Sequence, residues 1–451
     1  MTRRTMCMVC LVVCWFQFSP ASEGATDMKA GTAKAVITPQ TDIWMSGYAS
    51  RNHPSEGKFQ DLYAKALALE DANGTRAVLV TVDLIGLPNA LSERVAQRAE
   101  KETGLSRSAL LLSASHTHSG PVIRDNLETM YNLSPEQWKR VTENTQFLED
   151  QLVGIVKQAI GSLQPACVYR GNGKAGFAMN RRQYTLKGIV IGQNPIGPTD
   201  QDVPTLKVTD AKGNPLAIVF GYACHNTTLS FYQICGDYAG YAQEYVELAY
   251  PGAMAMFFIG CGADANPAPR GELKHAQQHG MELSRAVSQA LAGSMQEVKG
   301  PIRTSFSRID LPLATPPTKE QLEKQAQSDN QYIQRRAQYL LSILSKNGKI
   351  PDTYSYPVQV WSMADGFNII ALAGEVVVDY SLRLKHELGA DRTWVMGYTN
   401  DVFAYIPSLR ILREGGYEAE DSMIYYALPG PWAPPVEEMI IQEVHKRVAA
   451  R

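Results

Sequence analysis

Two of the chain's 8 histidines sit one residue apart in Ser113-Ala114-Ser115-His116-Thr117-His118-Ser119-Gly120-Pro121, directly after the apolar run Ala109-Leu110-Leu111-Leu112. In extended backbone, residues i and i+2 point to the same side, so a strand ending on His-Thr-His would aim both imidazoles at one spot. A metal site, a proton-transfer site and a structural hydrogen-bond network could each use that pair. A third histidine, in His225-Asn226-Thr227-Thr228, also follows an apolar run. Each of the three alone reads as readily as a structural residue. Together they point to a metal, because catalytic zinc sites combine two or three histidines with a carboxylate and keep one position open for water. His275 and His279 are spaced i, i+4 but lack the Glu of H-E-x-x-H, and with Lys274, Gln277 and Gln278 beside them they are expected on a solvated helix face.

The elements that must position these groups share one design: a turn signal, an apolar run of strand type, then a polar cluster. Asp71-Ala72-Asn73-Gly74 leads into Arg76 to Val82 and ends on Asp83, and Lys212-Gly213-Asn214-Pro215 leads through Leu216 to Phe220 towards His225. Met254 to Ile259 leads to Gly260-Cys261-Gly262-Ala263-Asp264-Ala265-Asn266-Pro267, and Asp365-Gly366 leads through Phe367 to Leu372 and on to Gly374-Glu375. Near-continuous apolar runs suit strands buried on both faces, and the polar residues past their carboxyl ends are where open α/β sheets place their sites. Periodicity predicts helices around Leu91 to Glu102, Glu136 to Ser162, Tyr238 to Leu248 and Leu273 to Leu291, with one long surface helix from Lys319 to Ser345. The fold class expected is α/β, mixed sheets with flanking helices, in a single catalytic domain over 26–451. Pro301 to Pro317 marks the boundary between candidate lobes 26–300 and 301–451.

The 451 residues are 45% hydrophobic and 20% charged, with a formal net charge of -2, a globular balance with no basic footprint for nucleic acid. Residues 1–25 run from Arg3-Arg4 through the apolar Met6 to Phe18 to Ser19-Pro20-Ala21-Ser22, the order of a signal peptide, so the mature chain is expected to be exported, periplasmic or secreted. Past that segment no apolar run is long enough to cross a bilayer. Cys7, Cys10 and Cys14 fall in the signal; Cys167, Cys224, Cys235 and Cys261 remain and are expected as buried free thiols.

Several elements carry a resemblance. Gly31-Thr32-Ala33-Lys34-Ala35-Val36-Ile37-Thr38-Pro39, Ser46-Gly47-Tyr48, Leu62-Tyr63-Ala64-Lys65-Ala66, the Ser-His-Thr-His-Ser-Gly-Pro run, and Gly236-Asp237 with Gly240-Tyr241-Ala242 occur in that order. They resemble the catalytic region of neutral/alkaline ceramidases, which hydrolyse the amide of ceramide with one zinc held by two histidines, a glutamate and a tyrosine. The resemblance implies His116, His225, Glu375 and Tyr405 as metal ligands, and His118, Arg181 and Tyr417 as catalytic residues. The family's ligand tyrosine follows an Asn-containing turn and precedes a second active-site tyrosine, itself followed by Glu, by twelve residues; here Asn400, Tyr405 and Tyr417-Glu418 keep that pattern.

One element departs. The family's Gly-Asp-Val-Ser-Pro-Asn loop falls on Gly262 to Pro267, where Ala265 takes the place of the serine. No counterpart of the family's C-terminal immunoglobulin-like domain is expected. What the resemblance implies is an exported, zinc-dependent hydrolase of an N-acyl bond in a small-molecule, lipid-like substrate, attacking with metal-activated water. The alternatives are a zinc esterase or deacetylase acting on a non-lipid substrate, and a relative that binds metal or ligand without turnover. Asp83 and Asp237 either orient the imidazoles from behind or serve as turn or capping residues, the two readings being equally open.

Overall fold

The computed structural model describes residues 27–450; the expected signal peptide and its three cysteines lie outside the described residues. Eight strands form the large sheet: β1 (Met28–Val36), β2 (Tyr63–Asp71), β3 (Arg76–Val82), β4 (Leu110–Ala114), β5 (Gln164–Lys174), β6 (Asp202–Asp210), β7 (Pro215–Tyr222) and β8 (Met254–Ile259). Their order is β8-β7-β6-β5-β1-β2-β3-β4, and Gln296–Glu297 adds a ninth short strand on β5. Only β3 with β4 and β7 with β8 pair in parallel; these are the apolar runs that the sequence marks as buried on both faces.

The ends of this sheet curl towards each other. Lys65 on β2 donates to the carbonyl of Ala255, and Thr81 on β3 to that of Phe257, both on β8 (2.7 and 2.6 Å). The carboxyl ends of β4, β7 and β8 are thereby gathered at one edge. A smaller sheet, β9 (Arg303–Pro312), β10 (Thr353–Ser362), β11 (Asn368–Leu372) and β12 (Thr393–Met396), packs on the first in that strand order. One core cluster joins Leu67, Leu79, Met256 and Phe258 to Trp361, Ile369 and Trp394 across the two sheets. The buried Gln359 and Trp361 also donate to the carbonyl of Ser108, just ahead of β4 (both 2.8 Å).

Helices α1 (Asn89–Thr103) and α2 (Pro135–Gly161) pack on β1 to β4, α3 (Asp237–Ala249) packs on β8, and α4 (Leu273–Ala292) packs on β5, β6 and α3. The N-terminus of α2 carries a capping box between Ser134 and Gln137. The single helix expected from Lys319 to Ser345 is two, α5 (Lys319–Gln325) and α6 (Gln331–Asn347). The break follows from Asn330, whose side chain accepts from the backbone N–H of Tyr332 and Ile333 and so caps a new helix. His279 corrects another expectation. It is buried, stacks on Phe177 at 4.5 Å and donates to the carbonyl of Pro269, a structural histidine and not one of a solvated face. Cys224, Cys235 and Cys261 are buried free thiols, and Cys167 is half-buried and free.

Candidate metal centre

His116 follows β4 by two residues, and the chain is no longer extended there: its φ is +58°. Such a left-handed non-glycine costs on the order of 1–3 kcal/mol and persists only when its surroundings hold it. They do. Ser115 N–H donates to Val82 O, His116 Nδ1–H to Ile85 O at 2.6 Å, and Thr117 Oγ1 to Cys235 O. The two imidazoles still meet, with Nε2 atoms 3.1 Å apart, but through this turn and not through the strand alternation expected from the spacing.

His225 arrives from the end of β7. Its N–H donates to Ala265 O and its Nδ1–H to Gly262 O (3.0 and 2.9 Å), so the loop after β8 fixes its ring. The backbone carbonyls of Ile85 and Gly262 therefore orient the imidazoles. Asp83 and Asp237 do not. Asp83 accepts from Tyr63 N–H and Gln243, and Asp237 from Leu229 N–H and Tyr238 N–H, because each sits at a chain reversal whose amides need an acceptor.

Glu375 and Tyr405 enter from the second sheet as paired residues of two short parallel strands, Glu375–Val376 and Tyr405–Ile406. Gly374 makes this possible. Its φ is +76°, and a Cβ there would meet Ile406 at 2.7 Å and Ala404 O at 2.8 Å. Glu375 Oε2 lies 3.2 Å from His116 Nε2 and 3.0 Å from His225 Nε2, and the Tyr405 hydroxyl lies 3.1 Å from His225 Nε2. Arg181, the residue after a short strand paired with Ala265–Pro267, donates from Nη2 to the Tyr405 hydroxyl and from Nε to Glu418. Tyr417 packs edge-on to Tyr405 at 5.3 Å, with the Arg181 guanidinium 5.6 Å from its ring. All seven sequence-predicted residues are thus brought to one place.

Two tyrosines there carried no sequence signal. The Tyr426 hydroxyl bonds to Glu375 Oε1, and the Tyr398 hydroxyl lies 3.4 Å from Oε2. Tyr426 is 51 positions from Glu375, so no local spacing announces it. Glu418, noted only as the residue after Tyr417, bridges Arg181 and Arg182.

The electrostatics of the cluster call for a cation. Burial, the Arg181 charge and the neighbouring His116 outweigh the Glu375 carboxylate and push His225 down to about 4, so at neutral pH it is uncharged. With Nδ1–H committed to Gly262 O, its Nε2 carries a lone pair. Burial works to raise Glu375, and it is positive charge and donation from the His116 and His225 imidazoles that hold it well below the usual range; with His225 neutral, a bound cation would have to take over that role. A lone pair and a carboxylate oxygen 3.0 Å apart repel unless positive charge lies between them. Zinc ligands at roughly 2.0–2.1 Å in a tetrahedron stand about 3.3 Å from one another, and the contacts among Glu375, His116, His225 and Tyr405 of 3.0–3.2 Å approach that edge length. The three histidines alone also offer nitrogens within 4.8 Å of one another, a group able to hold a metal ion. The donor set fits a zinc. His118 is held well below the ordinary histidine value by burial first and the two neighbouring imidazoles second.

A mixed-sheet α/β scaffold thus gathers the cluster at its strand ends. The chain belongs to the neutral/alkaline non-lysosomal ceramidase family, whose N-terminal region matches residues 28–295. Over 239 residues it is 30% identical to the neutral ceramidase of Pseudomonas aeruginosa, which covers 51% of this chain and 35% of that protein. Neutral ceramidase A of Dictyostelium discoideum is 27% identical over 221 residues, 47% of this chain and 30% of the relative. The chain therefore spans about a third of the length of these curated relatives. The crystal structure of the Pseudomonas aeruginosa neutral ceramidase superposes with a TM-score of 0.73 at 19% identity, over 94% of this chain and 74% of that one, and so shares the fold.

Proposed function

We propose that this protein is an exported, zinc-dependent hydrolase of the amide bond in an N-acyl substrate of ceramide type. The observation that carries the reading is the convergence of His116, His225, Glu375 and Tyr405, whose polar atoms make contacts of 3.0–3.2 Å, on one buried point that suits a cation. We assign His116, His225, Glu375 and Tyr405 to the metal and His118 to proton transfer. Glu375 touches both His116 and His225, whose ring centroids are 4.8 Å apart, whereas the His118 ring stands 6.1 Å from that of His225. A bound zinc would polarise the substrate carbonyl and lower the pKa of water.

The chain's own residues supply the rest. His118 is neutral at physiological pH and so can take the proton of the attacking water and return it to the leaving amine. Arg181 keeps its charge: burial opposes it, yet Tyr405 and Glu418 together raise it well above the ordinary value. Its guanidinium, held by Glu418, Asn266 and Tyr405, faces developing negative charge without having to reorganise, and Tyr417 adds a hydroxyl beside it. Ala265 is buried in the wall of the site and offers no hydroxyl, which supports direct attack by water over an acyl-enzyme at that position. Ligands from both sheets support the reading of 26–451 as one catalytic unit. No described helix is long and apolar enough to cross a membrane.

The test is zinc content by mass spectrometry together with amine release from short and long N-acyl and O-acyl substrates in oxygen-18 water. Zinc-dependent amine release with label in the acid and no acylated protein is expected. Zinc bound without turnover, cleavage of esters alone, or a trapped acyl-enzyme would overturn it.

A further inference from the structure

Among the described residues, five of the twelve exposed large hydrophobic side chains fall within thirteen positions: Tyr184, Leu186, Val190, Ile191 and Ile196. The others are scattered singly, which is ordinary for a surface. These five belong to one ribbon, a two-stranded hairpin of Arg182–Thr185 and Gly188–Ile191 with Leu186 and Lys187 at its turn, plus the loop that returns from it. Leu186 is fully exposed at 108% of the reference area, Ile196 at 95% and Tyr184 at 61%. From Gln183 to Thr199 the only charged residue is Lys187, so the ribbon meets a single charge on entering an apolar phase.

The base of the ribbon is rigid and belongs to the metal centre. Arg181 immediately precedes the first strand. Arg182 is buried and bonded to Glu418 and Glu414, the Tyr184 hydroxyl donates to Glu414, and Ile189 packs against Gly416, the neighbour of Tyr417. Leu186 lies five residues beyond Arg181, about 16 Å along an extended strand.

We propose that this ribbon is a membrane-docking element that dips its Leu186 tip into the interface of a lipid surface. A penetration of about 5–10 Å, usual for interfacial elements, leaves Arg181 and the histidine cluster near the headgroup layer. Lys187 can extend its ammonium back to the headgroups, and Tyr184 occupies the depth that amphipathic rings prefer. A second copy of the chain is the poorer occupant, because the five side chains offer on the order of 600 Å², less than the ~800 Å² per partner of a standard interface. The role in delivering substrate rests on the hydrolase reading; the docking itself does not.

The experiment uses the full chain and phosphatidylcholine vesicles. Wild type should co-sediment with the vesicles, Leu186→Asp should partition about tenfold less, and Leu186→Trp should show a blue-shifted emission when vesicles are added. Leu186→Asp should also keep its rate on a water-soluble short N-acyl substrate and lose it on a long-chain one embedded in the vesicles. Vesicle binding by a protein that hydrolyses no N-acyl compound would sink the hydrolase reading and uphold the ribbon. Equal partitioning of wild type and Leu186→Asp, an unshifted Trp emission, or a dimer in sedimentation velocity that Leu186→Asp dissolves would overturn the proposal.

Discussion

Replacing Glu418 with Gln removes one negative charge from a site with almost no solvent and leaves the volume unchanged. Glu418 is 1% exposed and accepts from Arg181 Nε at 2.7 Å and Arg182 Nη1 at 2.5 Å, and both arginines are themselves buried. Arg182 keeps Glu414 and the carbonyl of Gly415; Arg181 keeps only neutral partners, Tyr405 and Asn266. Breaking a buried ion pair by neutralising one partner costs about 3–5 kcal/mol, because the surviving charge stays desolvated. With a urea m-value of at least about 3 kcal/mol per M for a chain of this size, the unfolding midpoint should fall by up to roughly 1.7 M. The assay is urea denaturation followed by tryptophan fluorescence at pH 7 and again in acid. Burial works to raise the Glu418 carboxyl, but Arg181 and Arg182 outweigh it and hold it below its ordinary 4.5. A carboxyl depressed on folding stabilises above its unfolded pKa and loses that contribution as pH falls through the folded one, so Glu418→Gln and wild type should converge in acid. In a double-mutant cycle, Arg182→Met should cost less on the Gln background than on wild type. A midpoint shift below about 0.3 M, under about 1 kcal/mol, would refute the claim that this charge is desolvated.

His116→Ala or His225→Ala should abolish zinc binding and activity together, whereas His118→Ala should retain zinc and lose about 10²–10⁴-fold in rate; the reverse pattern would exchange the roles of His116 and His118. Tyr426→Phe leaves Glu375 Oε1 without its donor and should weaken zinc binding about 10–100-fold, measured by chelator competition. Gly47→Ala should keep zinc and cripple turnover, since φ there is +100° and a Cβ would lie 2.4 Å from the His118 ring; a normal rate would show that His118 can move without penalty.

The parallel strand pairs and four of the helices were legible because burial writes their periodicity into the chain. Arg76 to Val82 and Met254 to Ile259 form strands with those very limits. The antiparallel strands β5 and β9 were not, since each mixes polar and apolar residues without a continuous apolar run; β10 carries an alternation, Tyr354, Tyr356, Val358 and Val360, but Pro357 interrupts it. At the centre, residue types and order brought the seven candidates together, while the means of assembly stayed hidden. The turn at His116 depends on backbone bonds to Ile85 and Val82, and Tyr426 meets Glu375 only through tertiary packing. Of the two roles open to Asp83 and Asp237 the structure selects the turn, a choice the sequence could not make, because an acidic residue at a turn looks alike whether it serves an imidazole or a backbone amide.

The carbonyl clamps on the two imidazoles carry an evolutionary consequence. Where a carboxylate side chain sets a histidine tautomer, one codon change erases it. Here Ile85 and Gly262 contribute only main-chain oxygens, so no side-chain replacement at either position can delete the acceptor. The protonation pattern of the cluster is inherited with the path of the backbone. Side chains in the wall, that of Ala265 among them, can thus change towards new substrates while the centre keeps its chemistry.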